Sequence, residues 1–146
     1  MQVKDIMTKD VSYASPATNA AAAAELMWTS NCGSLPVVED GGHVVGMVTD
    51  RDLFIALGTQ NRKPAELTVN EIMHTNPAVC HPGDNLKRVL HSMANHHVHR
   101  LPVVESGVLQ GVVSIHDFLL KTDSALRDEV LETMKILSQP QSHEQA

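Results

Sequence analysis

The apolar positions of the chain form short runs that occur twice in the same order. Leu35 to Glu39 and Val44 to Val48 are β-branched runs separated by a turn rich in aspartate and glycine, a pattern typical of a β-hairpin. Leu101 to Glu105 and Val108 to Val113 repeat this pattern around a Ser-Gly turn. The sequence therefore predicts one β-hairpin in each half of the chain.

Helical patterns flank both hairpins. In the second half, four apolar residues with i, i+3, i+4 and i+7 spacing form one stripe: Leu86, Val89, Leu90 and Met93. The first half has smaller side chains at the matching positions: Ala20, Ala23, Ala24 and Met27. We predict that Thr18 and Asp84 are the N-caps of these two helices. Two further helices are predicted directly after the hairpins, near Asp50 to Leu57 and near Ile115 to Lys121.

An internal duplication relates the two halves. Val3 to Met7 aligns with Val69 to Met73, and the first hairpin aligns with the second at the same offset until the turn, where the second is one residue shorter. A short extended piece near Val11 to Ala14 precedes the first helix and ends at Ser15-Pro16, because a residue before proline avoids helical geometry. Each half is therefore predicted as strand, helix, strand, strand, helix.

The duplication divides the chain into segments. We assign residues 1–60 to the first repeat, 61–67 to a polar linker and 68–122 to the second repeat. Residues 123–138 are predicted as an amphipathic helix, with one apolar face formed by Leu126, Val130, Met134 and Leu137. Residues 139–146 are polar and are expected to be a frayed tail. A half of this size is marginal alone, so the halves are expected to pack together.

Charge and composition exclude several classes of partner. The net charge is -6 and no basic run is present, so neither a nucleic acid nor an anionic membrane is the expected partner. One Trp, one Tyr and two Phe leave little for base stacking. No apolar segment reaches the roughly 18 residues of a membrane helix, and no signal peptide is apparent, so we expect a cytoplasmic protein. Cys32 and Cys80 form no CxxC pair and are expected to be reduced thiols.

The end of each hairpin carries a hydroxyl residue with an aspartate three positions later. Thr49-x-x-Asp52 and Ser114-x-x-Asp117 both fit a capping box, which needs no ligand. The same geometry can serve a ligand, because an acid at a helix N-terminus can accept hydrogen bonds from two sugar hydroxyls, as in dinucleotide-binding folds. Both interpretations explain the residue types.

Several motifs in the right order, twice, resemble a tandem pair of CBS domains, also called a Bateman module. These are Asp5-Ile6-Met7-Thr8, the Leu-Pro-Val-Val-Glu runs that begin at Leu35 and Leu101, and the Gly-x-x-Thr/Ser-x-x-Asp ending of each copy. The resemblance covers about residues 1 to 122. It implies an α+β, sandwich-like fold: two pseudo-twofold-related β-α-β-β-α repeats packed sheet to sheet, here followed by the C-terminal amphipathic helix.

The resemblance also implies ligands. In this family, clefts between the two repeats often bind adenosine derivatives such as AMP, ADP, ATP, NAD or S-adenosylmethionine, and we expect AMP or ATP to be the effector here, with no cofactor required. The ribose would be held by Thr49, Asp52, Ser114 and Asp117. Tyr13 and Val79 would flank the base. His99 and Arg100, which precede Leu101, would reach the phosphate, whereas Gly33-Ser34 occupies that place in the first repeat.

Signalling through a partner is the function that this implies. Ligand binding would shift the population of conformations and report occupancy to an effector protein of unknown identity. Modules that resemble this one pair into flat dimers, so a homodimer is expected through the small-residue helix at Ala20 to Ala24 and the segment from Ala125 to Leu137. No GxSxG, HExxH or P-loop pattern occurs, and we predict that the chain is not an enzyme.

Two alternatives remain open on the sequence. The chain could be a scaffold without a ligand, in which both Ser/Thr-x-x-Asp pairs only cap helices. It could also sense a metal or an oxidant, through Cys32 or through four histidines: His91, His96, His97 and His99. Imidazole is a good transition-metal ligand, but the spacing matches no zinc pattern. We therefore predict no metal site.

Overall fold

The computed structural model describes residues 1–140. Its helices are α1 (Val3–Ile6), α2 (Ala20–Ser30), α3 (Asp50–Gln60), α4 (Val69–Ile72), α5 (Leu86–His96), α6 (Ile115–Lys121) and α7 (Arg127–Ser138). Its strands are β1 (Ser34–Val38), β2 (Val44–Thr49), β3 (His74–Thr75), β4 (Arg100–Glu105) and β5 (Val108–Ser114). The mixture of helices and strands confirms the predicted α+β class. The predicted frayed tail lies outside the described residues from position 141 onwards.

The chain forms two compact units, and neither unit coincides with one repeat. Each unit combines the hairpin of one repeat with the opening segment of the other. Unit 1 comprises Met1–Asp10, Ala78–Glu105 and the chain from Gln110 onwards. Unit 2 comprises Val11–Pro77 and Ser106–Leu109. Helix α1, which opens the first repeat, therefore lies with the hairpin of the second repeat. Helix α4, which opens the second repeat, lies with the hairpin of the first.

The core of unit 1 combines both predicted apolar stripes of the second half. All four residues of the α5 stripe are buried, as predicted, and α7 packs against α5 and α6. Val130 and Leu137 of α7 are buried together with Thr133, whereas Met134, which we had placed on this face, is exposed. Thr133 fits this apolar environment because its hydroxyl donates a hydrogen bond to the Glu129 carbonyl oxygen at 2.9 Å. The predicted helix begins as a 3-10 turn, and α7 itself starts at Arg127.

The core of unit 2 is built from smaller side chains. Ala20, Ala23 and Met27 of α2 are buried, but Ala24, the counterpart of Leu90, is exposed and does not belong to the stripe that we predicted. Within the described residues, α2 packs against β1, α3 and a 3-10 turn, and no helix covers it as α7 covers α5. Leu67, the last residue of the segment assigned as a linker, is fully buried in this core.

The N-caps of the two long repeat helices lie one residue later than predicted. Asn19 accepts a hydrogen bond from the Ala22 N–H at 2.8 Å, and Asn85 accepts one from the Lys87 N–H at 2.9 Å. Thr18 and Asp84 instead accept from backbone N–H groups three residues earlier, at Ser15 and His81. Our assignment was wrong because these side chains close the preceding turn, a use of Ser, Thr and Asp that competes with helix capping.

The predicted first strand of each repeat is reduced to one bridging residue. Ala14 bridges Val37 in parallel, and Cys80 bridges Val103 in the same way. In a parallel ladder the next backbone donor would lie two residues further on. That residue is Pro16 in the first repeat and Pro82 in the second. Proline has no N–H to donate, so the ladder stops there.

The predicted hairpins are present. Strands β1 and β2 pair antiparallel, with Ser34 opposite Thr49, and a bulge interrupts the register between Val37 and Val38. In the second hairpin the two loop residues, Ser106 and Gly107, have φ values of 51° and 80°. Two consecutive positive φ angles are the signature of a type I′ turn, which matches the twist of paired strands. Among residues 1–140, no helix is long and apolar enough to cross a membrane.

The glycine of each Gly-x-x-Thr/Ser-x-x-Asp motif lies beneath the backbone of an opening segment. A Cβ atom on Gly111 would lie 2.5 Å from the carbonyl oxygen of Thr8, and one on Gly46 would lie 2.8 Å from that of His74. Thr8 also exchanges two hydrogen bonds of 2.9 Å with the backbone of Val112. Only glycine permits this approach, so the motif glycine positions the residue two places after the end of each opening helix.

Replacing Gly111 by alanine should therefore destabilise the protein by about 1–3 kcal/mol, since the added methyl group meets backbone that cannot rotate away. The free energy of unfolding from urea titrations measures this. Gly58→Ala is the matched control, because Gly58 lies in α3 with nothing within 4 Å of the added atom. That change should stabilise the helix by roughly 0.5–1 kcal/mol. An unfolding free energy of Gly111→Ala equal to that of the unmodified protein would contradict the close-approach argument.

Candidate functional site

Thr49 and Asp52 form a capping box where β2 enters α3 in unit 2. The Asp52 N–H donates to the Thr49 hydroxyl oxygen at 3.1 Å, and the Thr49 N–H donates to Asp52 Oδ2 at 2.9 Å. These two bonds satisfy donors that the first turn of a helix leaves free. The predicted capping geometry is therefore present, and it uses only one carboxylate oxygen.

The second oxygen of Asp52 contacts a histidine. Asp52 Oδ1 lies 2.9 Å from His74 Nε2. His74 is the first residue of β3, which pairs antiparallel with β2, and this pairing brings the imidazole beside α3. The Asp52 side chain is 17% exposed, whereas the His74 side chain is 70% exposed. The Asp52 carboxylate is thus mostly buried, whereas the His74 imidazole that contacts it is exposed to solvent.

Ser114 and Asp117 repeat the capping box where β5 enters α6 in unit 1. Asp117 Oδ2 accepts the Ser114 N–H at 2.8 Å and the Ser114 hydroxyl at 3.2 Å, and the Asp117 N–H lies 3.3 Å from that hydroxyl oxygen. Both residues are buried. The arrangement matches that of Thr49 and Asp52, and it again leaves Oδ1 outside the capping box.

The second oxygen of Asp117 contacts a lysine. Lys121 Nζ lies 2.9 Å from Asp117 Oδ1 and donates also to the Ile6 carbonyl oxygen at 3.0 Å. The Thr8 hydroxyl donates to the same Oδ1 at 3.5 Å. Because the opening segment supplies both Ile6 and Thr8, the acid of the second repeat is held by the start of the first.

Thr8 and His74 are equivalent positions of the two repeats, and sequence analysis missed the role of both. Each follows the opening helix of one repeat and contacts the motif acid of the other. Lys121 was also missed, and its counterpart in the first repeat is Ala56, which is buried. The alignment of Asp5-Ile6-Met7-Thr8 with residues 71–74 could have shown that Thr8 and His74 are equivalent. It could not have shown which acids they contact.

Arg100 and His99 lie beside the Ser114 box. The Ile115 N–H donates to the His99 carbonyl oxygen at 3.0 Å, which places the start of β4 against the start of α6. His99 is exposed and Arg100 is partly buried. Within residues 1–140, the Arg100 guanidinium makes no hydrogen bond or ion pair, so it is available to an anion.

Ser34 occupies the place of Arg100 in the first repeat. The Asp50 N–H donates to the Gly33 carbonyl oxygen at 2.9 Å, which matches the bond between Ile115 and His99. The Ser34 hydroxyl is buried and has no hydrogen-bond partner among the described residues. Sequence analysis noted this position only as a missing basic residue. Its buried, unpartnered hydroxyl makes it a candidate contact for a polar ligand group.

Tyr13 and Val79 each precede a bridging residue. Ala14 and Cys80 are buried, whereas the Tyr13 and Val79 side chains are both exposed. Tyr13 belongs to unit 2 and Val79 to unit 1, so each shares a unit with one of the two acids. Their proposed contact with a base remains a prediction.

The histidines named as metal candidates lie on α5 and in the residues that follow it. No group of three or more His, Cys, Asp or Glu side chains is arranged to hold a metal ion between residues 1 and 140. His91 and His96 line a shallow depression on α5 with Lys87 and Arg88, and His96 Nδ1 lies 2.9 Å from the Ser92 carbonyl oxygen. Burial, and to a lesser extent the charge of Asp84, raises the pKa of the Cys80 thiol to about 12.

Comparison with known proteins places these features in a family. The family model described as "CBS domain" matches residues 3–59 and again residues 69–122. Protein YlbB of Bacillus subtilis is 37% identical over 134 residues, which is 87% of this chain and 90% of YlbB.

Two solved structures have a similar fold. The structure of Hypoxic Response Protein I with two coordinated zinc ions has a TM-score of 0.78 and 27% identity, and the match covers 84% of this chain and 100% of that one. The CBS domain pair of protein MJ0100, in complex with 5′-methylthioadenosine and S-adenosyl-L-methionine, has a TM-score of 0.74 and 28% identity over 82% of this chain and 93% of that one.

Proposed function

The chain belongs to the CBS-domain family, and we propose that it senses an adenosine-containing small molecule. The observation that carries the proposal is the duplicated acid: Asp52 and Asp117 each commit Oδ2 to a capping box and keep Oδ1 outside it. The similar CBS domain pair of MJ0100 binds two adenosine derivatives, which supports the same ligand class here. AMP and ATP are the first candidates, followed by ADP, NAD and S-adenosylmethionine, and no cofactor is required.

In this proposal the ribose hydroxyls donate to Oδ1 of Asp52 or of Asp117. Both oxygens are already hydrogen-bonded, to His74 in unit 2 and to Lys121 in unit 1. Because a carboxylate oxygen can accept two hydrogen bonds, a ribose hydroxyl could share Oδ1 of Asp52 with His74. Oδ1 of Asp117 already has two partners, Lys121 and Thr8, so a ribose there would replace one of them. Thr49 and Ser114 would contribute their hydroxyls, and Tyr13 and Val79 would flank the base.

The two sites would treat a phosphate differently. Arg100 and the neighbouring His99 would hold it in unit 1, where a charge-assisted hydrogen bond contributes about 1.5–3 kcal/mol. The matching position in unit 2 is Ser34, whose buried hydroxyl offers a neutral contact only. A phosphate-bearing ligand is therefore expected to prefer the Asp117 site.

A second candidate function is a scaffold without a small-molecule ligand. It is favoured by one observation, that both oxygens of each motif acid already have partners within the protein. In that case the two motifs only cap α3 and α6. Metal sensing is less well supported, since the described residues gather no set of metal ligands.

Self-association and an effector protein complete the proposal. Three of the four aromatic side chains are exposed in unit 2, with Trp28 of α2 at 86% and Phe54 of α3 at 78%. Exposed apolar patches of this kind mark interaction surfaces. We infer that the α2 and α3 face forms a homodimer in the cytoplasm, and that a partner protein responds to ligand occupancy. The identity of that partner is unknown.

The first test is a thermal-shift screen of the full chain against AMP, ADP, ATP, NAD and S-adenosylmethionine, with zinc, EDTA and an oxidant as separate arms. A ligand at about 100 times its Kd stabilises the folded state by about 2.7 kcal/mol. For a chain of this length, that should raise the melting temperature by roughly 5–10 °C. Absence of a shift with every nucleotide at millimolar concentration, under conditions where the protein is folded, would favour the scaffold.

Asparagine at either motif acid should separate ligand binding from capping. Asp52→Asn and Asp117→Asn should each cost up to about 2 kcal/mol of stability through the weakened cap, and each should abolish binding at its own site. Glu71→Gln is the control. It weakens another capping box, in which the Thr68 N–H donates to Glu71 Oε2 at 2.9 Å, and it removes the ion pair of Glu71 with Arg62, but it lies outside the proposed sites.

The double variant of Asp52 and Asp117 decides between the two functions. Under the sensor proposal it folds but shows no ligand-induced shift in melting temperature, whereas Glu71→Gln retains the full shift. If the double variant kept the shift of the unmodified protein, the acids would be capping residues alone.

Self-association can be measured by sedimentation equilibrium at micromolar concentration. The expected mass is twice the 15.9 kDa of one chain. Phe54→Asp should move the mass towards that of one chain, because a charge on the exposed α3 face would have to be desolvated in the dimer. Gln60→Asp, at an exposed position of the same helix, should leave the dimer unchanged. A single-chain mass for the unmodified protein would refute the dimer.

A further inference from the structure

The two candidate sites carry opposite charges at the edge where a strand and a helix begin together. In unit 1, the Ile115 N–H donates to the His99 carbonyl oxygen at 3.0 Å. Arg100 follows His99, and its guanidinium makes no hydrogen bond or ion pair within residues 1–140. Ile115, the first residue of α6, is apolar and buried. This edge of unit 1 therefore carries an uncompensated positive charge.

In unit 2 the same three positions are occupied by Gly33, Ser34 and Asp50. The Asp50 N–H donates to the Gly33 carbonyl oxygen at 2.9 Å, so the backbone arrangement is the same as in unit 1. Asp50 Oδ2 lies 3.0 Å from the place that a Cβ atom on Gly33 would take. The Asp50 carboxylate therefore lies against residue 33, and Ser34 supplies no charge to offset it.

Asp50 also occupies a backbone donor that an anion could otherwise use. Its Oδ1 accepts the Arg51 N–H at 2.8 Å. The first turn of α3 thus has its own acid against the positive end of the helix dipole. Arg51 is exposed, and adjacent helix residues do not face each other, so we expect its side chain to stay in solvent.

The motif acids differ in the opposite sense in their capacity for a ribose. Within residues 1–140, Asp52 Oδ1 accepts one hydrogen bond, from His74, and can accept a second. Asp117 Oδ1 has two partners, Lys121 and Thr8. A nucleoside must therefore displace a donor in unit 1 but not in unit 2. Binding in unit 1 consequently needs a further contact, which Arg100 can provide to a phosphate.

We propose that the Asp52 site takes an adenosine derivative without a phosphate, that Asp50 excludes phosphate there, and that the Asp117 site takes the phosphate-bearing form. The inference rests on the proposed binding of adenosine-containing ligands. Repulsion by the Asp50 carboxylate selects against the phosphate in unit 2. In unit 1 a charge-assisted hydrogen bond from Arg100 offsets the displaced donor. One chain then responds to two forms of the same nucleoside.

The test compares adenosine with AMP by isothermal titration calorimetry at neutral pH, in variants that keep one site each. Asp117→Asn keeps the Asp52 site, and Asp52→Asn keeps the Asp117 site. Circular dichroism checks that each variant is folded. Because the two ligands share the nucleoside, the ratio of their Kd values isolates the effect of the phosphate.

At the Asp52 site, adenosine should bind on the order of two- to tenfold more tightly than AMP, a modest ratio because Asp50 is exposed and water weakens the repulsion. At the Asp117 site, AMP should bind on the order of ten- to a hundredfold more tightly than adenosine, the contribution of one charge-assisted hydrogen bond. Equal affinities at the Asp52 site, or tighter binding of AMP there, would overturn the inference and leave the proposed function standing.

Asp50→Asn, added to Asp117→Asn, should raise AMP affinity on the order of two- to tenfold and leave adenosine affinity unchanged. The amide keeps an oxygen for the Arg51 N–H but loses the charge. Asp40→Asn is the matched control, because it removes an exposed acid from the turn at the far end of β1 and should change neither affinity. Weaker AMP binding after Arg51→Ala, or no effect of Asp50→Asn, would show that Asp50 does not exclude phosphate.

The unmodified protein provides a check that needs no variant to fold. In equilibrium dialysis with both ligands present near their Kd values, adenosine and AMP should bind to the same chain, and neither should fully displace the other. Full competition between them would overturn the division of the two sites. Failure to bind either ligand would overturn the proposed function and this inference with it.

Discussion

The close backbone approach at the two motif glycines is the constraint on which the candidate sites depend. Gly111 lies against the Thr8 carbonyl oxygen and Gly46 against that of His74, too closely for any other residue. The approach fixes an opening segment of one repeat against the hairpin of the other. It also delivers position 8 or position 74 to the acid six residues beyond the glycine. The opening segment of the first repeat therefore contributes both to the core, through Val3 and Ile6, and to the site, through Thr8.

The same exchange means that a single repeat does not contain all of either core. The hairpin of the second repeat needs α1 to complete its core, and the hairpin of the first needs α4. A duplicated chain can satisfy both needs within itself, which relieves the size limit on small domains. The two repeats can then differ in sequence at positions that take no part in this exchange of opening segments. Helix α7 covers α5 in unit 1, while the equivalent face of α2 keeps small residues and an exposed Trp28.

Local patterns in the sequence predicted the hairpins, the α5 stripe and both capping boxes, because each depends on residues within about one turn of one another. The exposure of Ala24 could not be predicted, since it depends on whether a distant helix covers α2. The N-caps were missed by one residue because Thr18 and Asp84 are equally good at closing the preceding turn. The contact of His74 with Asp52 was missed because it depends on which segment opens which unit. Lys121 lies four residues after Asp117 on the same helix, so the i, i+4 spacing could have predicted that pair.

Helix capping uses only one carboxylate oxygen, Oδ2, of each motif acid. In both repeats Oδ2 receives the bonds that start the helix. Oδ1 makes no capping bond, and its partner has changed from an imidazole in one repeat to an ammonium group in the other. A structural role thus keeps the aspartate and its orientation constant, while two neighbouring positions differ between the repeats: His74 corresponds to Thr8, and Lys121 corresponds to Ala56. The duplication allows this to happen at one site without loss of the other.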